Sequence, residues 1–304
     1  MKHLLDRILG GAVVLWIVAT TTFALMHVIP GGPFDRDRVL PPEILANVEA
    51  KYRLDEPVAR QYVHYIAGLL RGDLGPSYKY PGRTVAGILR DTFPVSIELG
   101  VIALLLAATM GITTGVVSAA RSRPGLDRTS LIASTVGISL PSFVLGSLLV
   151  FIFSQSLRWL PPALWEGWRS VVLPSAALAA APAAYIAGLV RSNMLDTLRQ
   201  DHIRTAKAKG MAPSSVLLKH GLKNSLGPTL SYLGPLTAQL VTGSFVIEYL
   251  FSIPGMGRFF VTAVTNRDYP LIMGTTLIYA ALIIAVNAAV DFLYAALDPR
   301  VRES

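Results

Sequence analysis

The chain has 304 residues, of which 52% are hydrophobic and only 15% charged, and its mean hydropathy is +0.51. Soluble globular domains carry about 25% charged residues, so this composition excludes an ordinary soluble protein. The net charge of +8 is spread over loops rather than gathered on one folded face, which argues against nucleic-acid binding. Cysteine is absent, and this excludes disulfides, thiolate metal sites and a cysteine nucleophile.

Six stretches are long enough to cross a hydrocarbon core of about 30 Å, which takes roughly 20 apolar residues. They cover about residues 10–29, 95–119, 131–155, 171–190, 229–250 and 271–294. The first is too long for a signal peptide and no small-residue cleavage site follows it, so we expect a retained helix. The sequence therefore predicts an all-α, polytopic membrane protein with six transmembrane helices.

Basic residues concentrate on one side of these predicted spans. Fourteen Lys and Arg lie before span one, between spans two and three, between spans four and five, and after span six. The short loops on the opposite side hold four, and the long loop over residues 30–94, with nine basic and eight acidic residues, counts little for orientation. The positive-inside rule then places both termini and the loop over residues 191–228 in the cytoplasm.

Residues 30–94 form the one sizeable segment outside the predicted spans. Pro57 begins a predicted helix that runs to about Leu70, and a short helix is expected over Thr84–Asp91. We therefore divide the chain into residues 1–94, the first span with an outer cap, and residues 95–304, a five-helix core.

Three prolines interrupt predicted spans: Pro141 in span three, Pro182 in span four and Pro235 in span five. Each removes a backbone hydrogen bond and bends its helix. A simple kink is one interpretation, and a hinge in a pathway that opens alternately is the other. Gly111 and Gly115 form a Gly-x-x-x-Gly step in span two, which predicts close packing within the bundle.

Few ionisable residues lie inside the predicted spans. Asp291 in span six has no basic or imidazole partner apparent in the sequence, which favours a helix-packing hydrogen bond over proton coupling. The P-loop pattern, His-Glu-x-x-His and Gly-x-Ser-x-Gly do not occur. The chain therefore does not bind ATP phosphates through a P-loop of its own, and no catalytic site is predicted. If energy drives this protein, another chain supplies it.

The loop between spans four and five is basic and helix-forming, with one break. Gly210 permits the positive φ that would end a helix over Leu195–Ala208, and Pro213 can begin a second helix. Two short helices at an angle would form a rigid knob, with Leu217 and Leu218 on one side and lysines on the other. Such a knob can pass a partner's movement to span five. A basic helix attracted to anionic lipid is the alternative.

The run from Arg204 to Gly210 resembles the EAA loop of ABC importer permeases, in which Ala-Ala is followed by three residues and a Gly. Ala206 and Gly210 stand at the matching positions, whereas Arg204 and Thr205 replace the Glu and the first Ala. The salt bridges of that Glu therefore do not carry over. Residues 248–270 and 290–300 resemble the peptide branch of these permeases. Residues 29–34, 40–52 and 72–80 in the first loop more closely resemble the B-type permease of bacterial oligopeptide importers.

This resemblance covers nearly the whole chain, and it implies the type I ABC importer permease fold in a bacterial inner membrane. It implies one half of a pore, completed by a homologous C-type permease. Two ATP-binding subunits would hold ATP and Mg, and a periplasmic or lipid-anchored protein would deliver peptides. Membrane lipid would surround the pore, no nucleic acid would be bound, and no cofactor is expected in this chain. The implied ATPase-coupling residues are Arg204, Thr205, Ala206, Lys207, Gly210 and Leu217.

Three other interpretations stay open at this stage. A dipeptide, nickel or glutathione permease of the same family would differ mainly in its binding protein. A secondary transporter working alone would show inverted repeats and midplane carboxylates, which are not convincing here. A membrane scaffold without transport would leave the interrupted spans and the knob unexplained.

Overall fold

The structure is a computed structural model that describes residues 2–29, 32–34, 49–120 and 140–297. Helices form nearly all of this part of the chain, and no β-strand is found within it. The helices, with π-helical segments marked π, are α1 Lys2–Val28, α2 Val58–Leu70, α3 Val85–Ala120, α4 Ser142–Leu149, π1 Val150–Ser156, α5 Trp168–Leu198, α6 Asp201–Ala208, α7 Pro213–Ser215, π2 Val216–Leu222, α8 Lys223–Ser225, α9 Gly227–Val241, α10 Phe245–Leu250, α11 Met256–Asn266 and α12 Tyr269–Leu297.

Five helical segments are long and apolar enough to cross a membrane. They are Leu9–Val28, Val85–Ala120, Trp168–Leu198, Gly227–Leu250 and Tyr269–Val290. These coincide with five of the six predicted spans. The first part of the remaining span lies outside the described residues, and its described part is the shorter apolar helix Ser142–Ser156. The prediction of an all-α polytopic membrane protein is confirmed.

One predicted boundary is wrong, because the short helix expected over Thr84–Asp91 is not separate from span two. Helix α3 runs without interruption from Val85 to Ala120 and passes through Pro94. A proline inside a helix removes one backbone hydrogen bond and crowds the preceding turn. Buried side chains on both sides of it, among them Ile88 and Leu99, hold the helix together across this defect.

Contacts divide the chain into two compact units: residues 1–95 with 254–288, and residues 96–253 with 289–304. The core of the first unit is built from α3, α11 and α12, with Ile88, Met256 and Leu271 fully buried. Aromatic residues of α1 and α2 pack around it. The two-part division drawn from the sequence stays a prediction.

In the second unit, glycines on α3 let two other helices approach its backbone. A Cβ on Gly111 would lie 2.7 Å from Ile186 Cβ on α5, and Gly115 meets α5 in the same way. A Cβ on Gly100 would lie 2.2 Å from the carbonyl oxygen of Leu240 on α9. The predicted role of the Gly-x-x-x-Gly step in packing within the bundle is therefore confirmed.

This packing predicts unequal effects for one small substitution at two helical glycines. Gly111→Ala forces a methyl group into the α3–α5 contact, and overpacking of this kind costs about 1–3 kcal/mol. Gly188→Ala on α5 is the control, because no atom lies within 4 Å of its added Cβ. We expect a lower thermal midpoint for the purified Gly111→Ala protein and an unchanged or slightly higher one for Gly188→Ala. Equal midpoints would contradict the close contact.

The three interrupting prolines do not occupy equivalent positions. Pro182 lies inside α5 and Pro235 inside α9, as predicted. Pro141 does not lie inside a helix: it precedes α4 with φ −56° and ψ 139°, so its backbone is extended. Proline fixes φ near the helical value but lacks the N–H of a helix interior, and the first turn tolerates it best. The roles of all three residues as hinges stay predictions.

Candidate functional site

The loop between α5 and α9 is folded rather than extended. Helix α5 continues past the predicted span to Leu198, and the chain then breaks at Arg199 and Gln200 before α6 begins at Asp201. The predicted single helix over Leu195–Ala208 is therefore wrong. The break redirects the chain so that the apolar face of α6 turns inward, which one straight helix continuing α5 could not achieve. We call the segment from Asp201 to Ser225 the knob.

Gly210 ends α6 through a backbone conformation that other residues adopt at a cost. Its φ is +73°, its N–H donates to the carbonyl of Lys207 at 3.0 Å, and the N–H of Met211 donates to that of Ala206 at 3.4 Å. This pair of hydrogen bonds is the Schellman motif, which satisfies carbonyls left free at a helix end. The predicted role of Gly210 as a helix terminator is confirmed.

The second half of the knob begins as the sequence predicts. Pro213 occupies the first turn of α7, after an extended Ala212. The helix then widens into π2 over Val216–Leu222, where Gly221 lies against α5. A Cβ at Gly221 would lie 3.2 Å from the Met194 side chain, so a larger residue would push π2 away from α5.

The knob has an apolar core of its own. Ile203, Ala206 and Val216 are 0%, 5% and 2% exposed, and Leu198 and Met211 pack against them. In the Schellman motif a hydrophobic contact between the residue after the glycine and the last helical turn is common, and Met211 supplies it here. The two halves of the knob are thus held by burial as well as by backbone hydrogen bonds.

Leu217 and Leu218 were predicted on one side of the knob, and this is wrong. Leu217 packs against the core of the second unit, whereas Leu218 is 54% exposed. Neighbouring side chains on a helix point in different directions, and in π2 the direction of Leu217 is the one that meets the packed helices. Leu217 ties π2 to the membrane helices, and Leu218 is left on the outer surface of the knob.

The outward face of α6 carries the predicted coupling residues. Arg204, Thr205, Lys207 and Gly210 are exposed, and only Ala206 among the predicted residues of α6 is buried. Arg204 forms a 3.6 Å ion pair with Asp201, but the two side chains are 78% and 95% exposed. An exposed ion pair contributes little free energy, so Arg204 can readily leave Asp201 and pair with a carboxylate of another protein. The result is a basic surface on a rigid support.

Several structural residues of the knob were missed from the sequence. Ile203 and Val216 form its core, and the Asn224 amide lies 3.3 Å from His202 Nε2, linking α8 to α6. Ile203 and Ala206 stand three residues apart in an otherwise polar helix, and this spacing marks one buried face. The His202–Asn224 contact has no comparable signal, because the two residues are far apart in sequence.

The first unit contains a second organised feature at the start of α12. Asp268 is fully buried and accepts hydrogen bonds from the Ser77 hydroxyl, from the Tyr78 N–H at 3.1 Å and from the Leu271 N–H at 3.4 Å. It therefore caps α12 and holds the loop before α3. An Asp followed within two residues by Pro270 is a helix-start signal, although the sequence does not reveal the distant loop it binds.

A cavity of about 270 Å³ lies in the first unit, between α1, α2 and the start of α12. Its wall includes the aromatic side chains of Phe23, Tyr65, Tyr78 and Tyr269. Burial raises the pKa of Tyr65 to about 12, with a smaller contribution from Tyr62. Burial also raises the pKa of Tyr78, and the charge of Asp268 adds to that shift. Both phenols are neutral at neutral pH, as an unperturbed tyrosine also is.

Within the described residues, no three His, Asp or Glu side chains converge as metal ligands would. Asp291 lies within the bounds of α12, but its side chain falls outside the described residues.

Comparison with known proteins adds to this geometry. Residues 111–303 match the family described as binding-protein-dependent transport system inner membrane component, and residues 1–100 match the corresponding N-terminal family. The chain is 44% identical over 301 residues to the dipeptide transport system permease protein DppB of Bacillus subtilis (strain 168), covering 99% of this chain and 98% of that protein. It is 42% identical over 304 residues to the oligopeptide transport system permease protein OppB of Haemophilus influenzae and of Escherichia coli (strain K12), covering 99% of each chain.

A solved structure shares the fold. It is the crystal structure of an amino acid ABC transporter with histidines, with a TM-score of 0.51, 16% identity, and coverage of 70% of this chain and 94% of that one. The predicted fold of an ABC importer permease is thereby confirmed. Because the family match spans most of the chain and relatives at 42–44% identity span nearly all of it, this chain belongs to the binding-protein-dependent transport system inner membrane component family.

Proposed function

We propose that this chain is a permease subunit of an ATP-driven peptide importer and that its knob docks on a cytoplasmic ATPase subunit. The observation that carries the proposal is a loop between two membrane helices that has its own buried core and a basic outer face. The relatives named for dipeptide and oligopeptide transport support peptides as the substrate class.

The contacts of the knob connect the exposed face of α6 to two membrane helices, α5 and α9. Ile203, Ala206 and Val216 lock α6 to π2, so a displacement of α6 moves π2 with it. Leu217 and Gly221 in turn join π2 to α5, and π2 leads through α8 into α9. A push on the exposed face of α6 would therefore reach two membrane helices, because packed interiors are stiff and transmit strain.

The partners follow from what this chain lacks and from the family it belongs to. Its sequence has no P-loop, so ATP and Mg would be held by two partner ATPase subunits. A homologous C-type permease would complete the pore, and a periplasmic or lipid-anchored binding protein would deliver the peptide. This chain itself would need no cofactor, and the permease would act without being an enzyme.

The proposed location is the bacterial inner membrane, with both termini and the knob in the cytoplasm. The excess of Lys and Arg in the loops on that side supports the orientation. Lys207 and Lys209 on the knob would then face the compartment where ATP is available. Pro141, Pro182 and Pro235 are the candidate hinges for movement between inward- and outward-facing states.

Dipeptides and oligopeptides are supported about equally as the substrate. The dipeptide permease relative is 44% identical and the oligopeptide permease relatives are 42% identical, so identity does not separate them. Nickel and glutathione permeases of the same family are the remaining alternatives, and the binding protein would decide among them. A secondary transporter is not favoured, since it would need its own coupling carboxylates.

The test is purification of this protein in mild detergent from its native membrane, followed by mass spectrometry of the proteins that accompany it. We expect a second polytopic permease and P-loop ATPases. Recovery of this chain alone, under conditions that preserve a known ABC complex, would overturn the proposal and favour a secondary transporter.

Charge reversal on the knob tests the docking surface directly. Lys207→Glu changes an exposed side chain and leaves the buried knob core untouched. We expect less ATPase subunit to accompany the permease, at unchanged permease abundance, because charge complementarity governs such contacts. Arg90→Glu, on the exposed surface of the first unit, is the matched control and should have no effect. Equal recovery of ATPase with both variants would contradict the docking role.

A further inference from the structure

Two membrane-length helices of the second unit, α5 and α9, expose positions with polar side chains, together with one proline and one glycine. On α9 the exposed positions include Ser231, Pro235 and Gln239, each four residues after the last, so they share one face. On α5 the exposed positions include Tyr185, Gly188 and Ser192. We call these six residues the polar stripe.

The two halves of the polar stripe belong to one surface. The rings of Tyr185 on α5 and Tyr232 on α9 are 4.4 Å apart between centroids, and Tyr232 directly follows Ser231. The adjoining faces of the two helices are buried in the second unit: Ile186 and Leu236, which directly follow Tyr185 and Pro235, are 0% and 2% exposed. The polar stripe is therefore the outward side of the same helix pair whose inner side packs on α3.

Another part of the second unit shows what a lipid-facing surface of this chain looks like. The α4–π1 helix exposes Phe143, Val144, Leu148, Phe151 and Ile152. Of the membrane-length segments, the one that contains α9 has the lowest mean hydropathy, 1.2, against 1.6 to 2.1 for the others. An amide or hydroxyl placed in hydrocarbon without a hydrogen-bonding partner costs about 4–8 kcal/mol. The Ser231 hydroxyl is paired with the Gly227 carbonyl at 3.3 Å, so this cost would fall mainly on the exposed side-chain amide of Gln239. The polar stripe is therefore a poorer lipid surface than the α4–π1 helix.

Pro235 adds a backbone acceptor to this surface. Proline has no N–H, so the carbonyl of Ser231 loses the donor that a regular helix would supply four residues later. Such freed backbone groups occur at membrane depth where they are buried in protein or line a water-filled cavity. Ser231 and Pro235 are both exposed, which places the freed carbonyl on the outward side.

We propose that the polar stripe lines the transport pathway and contacts the backbone of the peptide in transit. This rests on the proposed function and names the surface that carries it out. The six residues offer hydroxyl, amide and carbonyl groups and no charged side chain; the exposed Asp196 lies one turn after Ser192, at the end of α5. Uncharged donors and acceptors match the amide groups that all peptides share, and they do not select among side-chain charges. A pathway of this chemistry suits short peptides of varied sequence.

The absence of cysteine allows a clean test, because each introduced thiol is the only one in this chain. Ser231→Cys and Gln239→Cys place a thiol on the polar stripe, and Leu148→Cys places one on the apolar surface of α4. Each variant is produced with its partner subunits in membrane vesicles and treated with a charged, membrane-impermeant methanethiosulfonate. Mass spectrometry of this chain reads the labelling, and labelling after SDS denaturation confirms that every thiol is intact.

We expect the two stripe cysteines to react about tenfold faster than Leu148→Cys, because only a hydrated thiol ionises to the reactive thiolate. A transported peptide should slow the reaction at the stripe and leave Leu148→Cys unchanged. Rates at the stripe no higher than at Leu148→Cys would overturn the proposal and place this face against lipid or a dry subunit interface. Fast labelling that peptides do not slow would overturn the peptide contact. Neither the labelling rate nor its protection by peptide depends on which ATPase subunits accompany the chain. Co-purification tests the proposed function separately, so its failure can be told apart from failure of this inference.

Discussion

Replacing Gly210 with valine should strongly weaken the coupling between ATP hydrolysis and transport while the protein still inserts into the membrane. At φ +73° a β-branched side chain is strained even though no atom lies within 4 Å of the added Cβ. Holding a residue in such a conformation costs about 1–3 kcal/mol, and the strain is relieved by losing the Schellman motif. Without that motif, Met211 no longer closes the knob core, and movement of α6 is no longer passed on to π2.

The measurement is peptide uptake and peptide-stimulated ATPase activity in reconstituted vesicles. We expect uptake by Gly210→Val to fall by about tenfold or more, since 1.4 kcal/mol corresponds to a factor of ten. Gly210→Pro should behave similarly, because proline removes the N–H that donates to Lys207 and cannot adopt a positive φ. Gly210→Asn is the matched control, because asparagine tolerates this conformation. Normal uptake by Gly210→Val at normal expression would refute the coupling role.

Removing the buried carboxylate of Asp268 should destabilise the first unit more than any exposed substitution in the same unit. Asp268→Ala leaves the Ser77 hydroxyl and the N–H groups of Tyr78 and Leu271 without their acceptor. Each unsatisfied buried donor costs about 1–3 kcal/mol, so the loss amounts to several kcal/mol. The loop before α3 should then detach from the start of α12.

Limited proteolysis of the purified protein tests this, since the freed loop around Ser77 becomes a cleavage site. Asp73→Ala is the matched control: Asp73 is exposed and accepts one hydrogen bond, from the N–H of Gly75 at 2.9 Å. Asp268→Asn should be intermediate, because it keeps one acceptor oxygen and replaces the other with a donor. Similar protease resistance for Asp268→Ala and Asp73→Ala would show that the buried carboxylate is not what holds the loop.

In the knob, some features follow from the local sequence and others depend on distant contacts. Gly210 and Pro213 were predicted to end one helix and begin the next, and both do so, because their backbone preferences hold in most surroundings. The break at Arg199 and Gln200 was not predicted, because neither residue disfavours a helix. The inward turn of Ile203 decides that break, and it depends on Val216, which lies beyond the second helix start.

In the membrane helices too, some features were predictable from the local sequence and others were not. Apolar runs of about 20 residues placed five helices correctly, because the cost of an unpaired backbone in hydrocarbon leaves few alternatives. The polar stripe was not predicted, although Ser231, Pro235 and Gln239 are visible at a spacing of four. That spacing marks a face but does not say whether the face is buried, lipid-exposed or aqueous.

The class of the protein, five of its membrane helices and the position of the knob could be read from the sequence alone, and the basic loops predict its orientation. These follow from hydrophobicity, charge and backbone conformation, which act within a few residues of each other. Only the tertiary structure decided that Asp268 holds the loop at Ser77, that Leu217 turns inward while Leu218 stays exposed, and that α5 and α9 share one polar surface. Those features depend on contacts between residues distant in the chain, and burial, which sets their energies, exists only once the helices have packed.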